Sequence, residues 1–170
     1  MLIGGVDEAG RGSILGPLVV AGVSIRESRI AKLREMGVRD SKLLTPQTRA
    51  RLVDEIKSVS ERFYVHTIDI AEIDSSVLLK GLNKLEAKAM AYVIEQLKVD
   101  EVFVDCCDTN PGRYRDHIAS HLDKSPTIHS MHHADRHNIA VSAASILAKV
   151  ERDFAIQKLR KRHRNIGSGY

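Results

Sequence analysis

The stretch LIGGVDEAGRGSILGPLVVAGVSI, Leu2 to Ile25, places two short apolar, β-branched runs on either side of a segment that opens on two acids and carries three glycines. Runs of this kind, bounded by glycine, read as two strands joined through the intervening motif. Asp7 and Glu8 do nothing for folding in such a segment. They either meet solvent at a turn or hold something positive.

Working outward, Tyr64, Val65, Thr67 and Ile68 predict a third strand. Before it, TPQTRARLVDEIKSVS (Thr45 to Ser60) predicts a helix, with Thr45 as cap, Pro46 at the first helical position and Leu52, Val53, Ile56 and Val59 as its apolar face. LNKLEAKAMAYVIEQLK (Leu82 to Lys98) predicts a second, with Leu82, Leu85, Ala89, Val93 and Leu97 in one stripe. VDEVFVD then reads as a strand ending on Asp105, Arg113 to Leu122 as a helix, TIHSMHH (Thr127 to His133) as the last short strand, and Asn138 to His163 as one long helix. Strands first, then alternation with helices, predict an α/β fold with a mixed sheet covered by helices.

The bulk numbers narrow the class. A chain of 170 residues with 43% hydrophobic and 28% charged residues suits one globular domain, residues 1–170. No apolar run approaches the roughly 18 residues of a membrane span, and MLIGGV lacks the basic start of a signal peptide, so the expected address is cytoplasmic. Cys106 and Cys107 are adjacent and lack paired zinc spacing, which reads as reduced thiols. The net charge of +4 is concentrated. Between Lys149 and Arg164 lie seven Lys or Arg against two acids, either a solvated helix face or a footprint for a polyanion.

Asp7 and Asp105 fall at the carboxyl ends of predicted strands, and Asp135 follows the last one. Sites of open α/β sheets collect at those ends, so the three acids and Glu8 could converge. Oxygen donors alone suit a hard cation such as Mg²⁺ or Mn²⁺, and two such ions about 3.5–4 Å apart support phosphodiester hydrolysis. Side chains alternate along a strand, so Asp7 and Glu8 can share one ion only where the strand breaks, which Gly10 and Gly12 permit. Taken singly, each acid also reads as a turn residue, a strand end or, for Asp135, a helix cap. Gly10, Gly12 and Gly16 do not form the dinucleotide fingerprint, and read equally as a tight turn or as a close approach for a sugar-phosphate backbone.

DEAGRGSILGP, DSKLL, VFVD, HHADRHNIAVSAASILAKVERD and the terminal GSGY, taken together and in order, closely resemble ribonuclease HII in its archaeal form. The resemblance implies a ribonuclease H-like fold, a mixed five-stranded sheet flanked by helices. It also implies two-metal hydrolysis of RNA in RNA/DNA hybrids and at single ribonucleotides in duplex DNA, giving 5′-phosphate and 3′-hydroxyl ends. By resemblance, Asp7, Glu8, Asp105 and Asp135 are the catalytic metal ligands for Mg²⁺ or Mn²⁺. Gly10, Arg11 and Gly12 sense the ribose 2′-hydroxyl, Tyr170 packs on the sugar, Ser41 and Lys42 match the family's SK pair with Lys42 meeting a phosphate, and Lys149 is a further phosphate candidate. The family carries lysine where this chain has His133, and continues with helices past GSGY, so the chain is expected to be the catalytic domain without that extension, and monomeric.

Other residues compete for attention. His129, His132, His133 and His137 invite a zinc reading, but half of them lie in a predicted strand where neighbouring side chains diverge, and surface or substrate-facing roles fit better. Asp108 reads as a turn residue leading into Asn110 and Pro111, and Cys106 as buried packing. Two alternatives stand beside the leading reading: another nuclease of the same fold, such as ribonuclease HIII, and a hybrid-binding module whose carboxylates no longer catalyse.

Overall fold

The computed structural model describes residues 1–39, 41–124 and 126–163. In chain order the elements are β1 (Leu2–Ala9), β2 (Leu18–Arg26), α1 (Ile30–Glu35), a 3₁₀ turn (Ser41–Leu43), α2 (Pro46–Val59), β3 (Arg62–Ile68), α3 (Ile70–Leu78), α4 (Leu82–Leu97), β4 (Glu101–Asp105), α5 (Pro111–Ala119), β5 (Thr127–Met131), α6 (Ala134–His137) and α7 (Ile139–Arg162). The five strands form one sheet in the order β3-β2-β1-β4-β5. β1 runs antiparallel to β2 and parallel to β4, and β1 is the strand on which the sheet changes from one pairing mode to the other.

Local signals explain most boundaries. Thr45 caps α2 by accepting the Thr48 N–H at 3.1 Å, with Pro46 following where its missing N–H costs nothing. Asn110 caps α5 in the same way, and Asn138 caps α7 by accepting from Ala140 and Val141. β3 begins two residues earlier than its apolar run suggests. β5 stops at Met131 because His133 adopts a left-handed conformation (φ 55°) and starts α6. α1 and α6 are too short to show a legible apolar stripe; α3, capped by Asp69, packs Ile73 on the core and leaves Val77 and Leu78 exposed.

Two apolar layers sandwich the sheet. On one face Val6, Val20, Val102 and Val104 pack on Met90, Val93 and Leu97 of α4 and on Tyr114 and Ile118 of α5. On the other, Val19, Val23 and Ile25 meet Leu52 and Ile56 of α2 and Ala140, Ala143 and Ile146 of α7. The first half of α7, Ala140 to Ala148, is wholly buried and rich in alanine and serine because it lies directly beneath β1. Gly5 makes that approach possible. A β-carbon at Gly5 would stand 2.2 Å from the Ala140 carbonyl carbon, a separation no packed atoms tolerate.

Gly5→Ala is therefore expected to cost about 3 kcal/mol or more, since the clash is with backbone and cannot be relieved by a rotamer change. Gly12→Ala meets open space and carries only the strain of its positive φ, about 1–2 kcal/mol. Urea unfolding of the two variants checks the order; equal costs would show that β1 and α7 are not held by this contact.

Candidate active site

Asp7, Glu8 and Asp105 converge, with one carboxylate oxygen from each lying within 4.8 Å of the others. The convergence does not come from a break in β1, as expected from the sequence, because β1 stays paired to β2 through Ala9. Instead the pairing with β4 ends at Val6–Val104, one residue before the acids. Asp7 faces the α7 side, as Gly5 and Ala9 do, and Glu8 faces the α4–α5 side, as Val6 does. The end of β4 leaves a gap through which the two carboxylates meet Asp105.

Each acid is held from its own side. The Asp7 carboxylate accepts the Glu8 N–H at 2.7 Å and a hydrogen bond from the Ser145 hydroxyl on α7. Ser145 in turn shares a 2.8 Å hydrogen bond with the buried Ser41 hydroxyl, so the Ser41 side chain is engaged inside the protein. Asp105 accepts the Ala134 N–H at 2.6 Å, which fixes α6 against the end of β4. Asp135 lies buried beside this group with one oxygen 3.6 Å from the Lys42 ammonium and the other without a hydrogen-bond partner among the described residues. It is not the cap of α7, a role Asn138 fills. Lys149 is half-buried on α7 one turn beyond Ser145, on the same face. Tyr170 lies outside the described residues.

The Gly10–Gly16 loop rises beside the acids. Gly10, Gly12 and Gly16 all take positive φ (104°, 72° and 86°). Gly10 and Gly16 also lie against α7, where a β-carbon would approach Arg152 Nε and Ile156 Cδ1 to 2.4 Å each. Arg152, fully buried, donates to the Leu15 carbonyl at 2.9 Å and so grips the loop from below. It therefore does not belong to a solvated basic stripe. Arg11 ion-pairs with Glu86 of α4 and donates to Asn83 Oδ1 at 2.9 Å.

Burial pushes all three converging carboxyls upward. Asp7 is raised well above the usual range by desolvation and then by Glu8 and Asp105, Glu8 is pushed up to about 7 by desolvation and Asp105, and Asp105 is raised by desolvation, with the Ala134 N–H opposing it. Such a cluster holds negative charge that the protein itself does not neutralise, and its all-oxygen donors suit a hard divalent cation. The other tempting residues have local partners. Asp108 is a turn acid whose carboxyl Arg113 and the Asn110 N–H hold well below the usual range. Cys106 is buried, and burial pushes the Cys107 thiol up to about 11. His129 pairs with Glu101 at 2.6 Å and stacks on Phe103. Glu86, Asn83, Ser145 and Arg152 are the contributors that sequence reasoning missed.

A mixed five-stranded sheet whose central parallel pair ends on convergent carboxylates, flanked by a glycine loop, defines a metal-dependent hydrolase of ribonuclease H-like fold. The chain belongs to the ribonuclease HII family, whose model matches residues 4–170, and it is a metal-dependent endoribonuclease. A ribonuclease HII of Cenarchaeum symbiosum is 47% identical over 170 residues, covering all of this chain and 82% of the relative, and one of Thermococcus onnurineus is 44% identical, covering 100% and 75%. The crystal structure of the ribonuclease H2 from Pyrococcus horikoshii superposes with a TM-score of 0.92 at 39% identity over 100% of this chain and 81% of that one. Ribonuclease HII in the PCNA:RNase HII complex from Archaeoglobus fulgidus gives 0.91 at 35%, over 100% and 82%.

The raised carboxyls make a prediction for the metal-free protein. A folded pKa above the ordinary value means the native state binds protons more tightly than the unfolded chain. The stabilisation from Glu8 is thus complete below its ordinary 4.5 and lost as pH rises through about 7. Glu8→Gln should remove part of that loss and raise the melting temperature in EDTA at pH 8 by about 5 °C, with little gain at pH 5. Thermal unfolding across pH checks this; a variant that melts lower at pH 8 would show that the carboxylates are not in conflict.

Proposed function

We propose that this chain hydrolyses the RNA strand of RNA/DNA hybrids and cuts at single ribonucleotides embedded in duplex DNA, leaving 5′-phosphate and 3′-hydroxyl ends. The observation that carries the reading is the convergence of Asp7, Glu8 and Asp105 beside a glycine loop that is open to a close approach at Gly12. Asp7, Glu8 and Asp105, with Asp135 alongside, would hold Mg²⁺ or Mn²⁺ as a two-ion site. When bound, such ions supply an activated water and stabilise the leaving oxygen.

The chain's own residues do the remaining work. Asp7 and Asp105 are fixed in orientation by Ser145 and by the Ala134 N–H, which holds their carboxylates together with Glu8. Glycine amides at Gly10 and Gly12 suit the ribose 2′-hydroxyl, the group that distinguishes RNA from DNA at one nucleotide. Lys42, more than half exposed and adjacent to Asp135, is positioned to meet a phosphate next to the acids. Ser41 serves this arrangement through Ser145 rather than by reaching the substrate with its hydroxyl. Lys149, one turn from Ser145, extends the same face for a second phosphate.

The test is cleavage of a labelled DNA duplex containing one ribonucleotide, with Mg²⁺, Mn²⁺ or EDTA. Asp105→Asn is expected to reduce cutting by at least 10³-fold, the scale of losing a group that stabilises transition-state charge, while the fold is retained. Metal-independent cutting, or an active variant, overturns the reading; binding without turnover favours the hybrid-binding module. Neutralising Lys158, Arg160 and Lys161 near the end of α7 should flatten the dependence of log Kd on log salt by about one per lost phosphate contact. Lys158 lies over the Phe154 ring at 4.3 Å. An unchanged slope would return that face to solvent.

A further inference from the structure

Arg11 sits at the centre of the Gly10–Gly12 element, yet its guanidinium turns toward α4. Its guanidinium is ion-paired with Glu86 and donates to Asn83 Oδ1, both on the first turns of α4. Glu86 is completely buried, and its second oxygen has no hydrogen-bond partner among the described residues, so Arg11 is the cation that balances it. A carboxylate in that position is tolerated only while paired. Asn83 continues the chain by donating to Asp108 at 3.1 Å, and Asp108 is bound by Arg113 of α5. The loop is thereby tied through Arg11 to two helices on the face of the sheet opposite α7.

We propose that Glu86 is a positioning residue for ribose recognition, a role that rests on the ribonucleotide-cleaving reading of the site: it fixes Arg11 so that the loop's backbone amides, and not the guanidinium, face the substrate. Two observations lead there. Glycines flank Arg11 on both sides with φ of 104° and 72°, so this short segment has little stiffness of its own. Its other ties are the Ser13 N–H on the Gly10 carbonyl at 3.1 Å, which closes the turn on itself, and the Leu15 carbonyl on Arg152, four residues further on from Arg11. Without Glu86 this turn would lose its tie to α4 and tilt relative to Asp7 and Glu8. The same pairing occupies the guanidinium and keeps it from serving as a mobile phosphate clamp.

The test uses the full chain with Glu86→Gln, which keeps the shape and removes the charge, and Arg11→Met, which removes the partner. Amide hydrogen exchange of residues 9–16 should quicken about tenfold in each variant and no further in the double variant, with α4 exchange unchanged in Glu86→Gln. In the ribonucleotide-duplex assay, KM should rise about tenfold in Glu86→Gln with a smaller change in kcat, while the Mn²⁺ titration midpoint stays in place. Unchanged loop exchange overturns the proposal, as does loosening of α4 itself in Glu86→Gln, which would make Glu86 a packing residue. A wild-type KM in Glu86→Gln also overturns it. If the wild type cuts nothing, the nuclease reading fails and takes the ribose role with it, whereas the exchange result still decides whether Glu86 anchors the loop.

Discussion

The contact on which the structure depends is the backbone-to-backbone approach of β1 and the start of α7. Gly5 offers no side chain, and Ala140, Ala143 and Ala144 offer very little, so the helix lies closer to the sheet than ordinary side chains would allow. That closeness brings Ser145 within reach of Asp7 and places Arg152 and Ile156 under the glycine loop. A helix held one side-chain layer further away could still cover the apolar face. It could not hydrogen-bond the first carboxylate or support the loop, and the site would lose its frame.

The site is built around an unbalanced charge. Three carboxyls converge where desolvation and mutual repulsion both raise their proton affinity, and the protein leaves that conflict for a cation to resolve. Around this centre the other charges are matched locally: Arg11 on Glu86, Arg113 on Asp108, Lys42 on Asp135 and Arg49 on Asp153. Arg49 also donates to the carbonyls of Ser41 and Leu44, so the segment carrying Lys42 is held by α2. Local pairing keeps the unmet charge confined to the one place where chemistry needs it.

Much of this was legible in the sequence. The apolar runs that lead into Asp7 and Asp105, the Thr45 cap with Pro46, and the long helix from Asn138 onward are local signals, and local physics produces them. What was not legible depends on partners far along the chain. Glu86 and Arg152 lie within helical patterns, where a charged residue ordinarily marks the solvent face. Each is buried because a group 75 or 137 positions earlier meets it. The meeting of Asp7 and Glu8 was expected to need a break in their own strand. It is supplied by the neighbouring strand ending instead, a fact of register that no single segment contains.

The packing of Gly10 and Gly16 on α7 has a consequence for how such a chain changes over generations. Gly10 cannot gain a side chain where it stands, since the first added carbon would meet Arg152 Nε at 2.4 Å and the Pro17 carbonyl at 2.5 Å. At Gly16 the end of the Ile156 side chain would have to swing aside first, and the positive φ would still strain the new residue. Loop and helix are separated by some 140 residues of chain, yet they are inherited as one unit, and the order in which their substitutions accumulate is constrained by geometry.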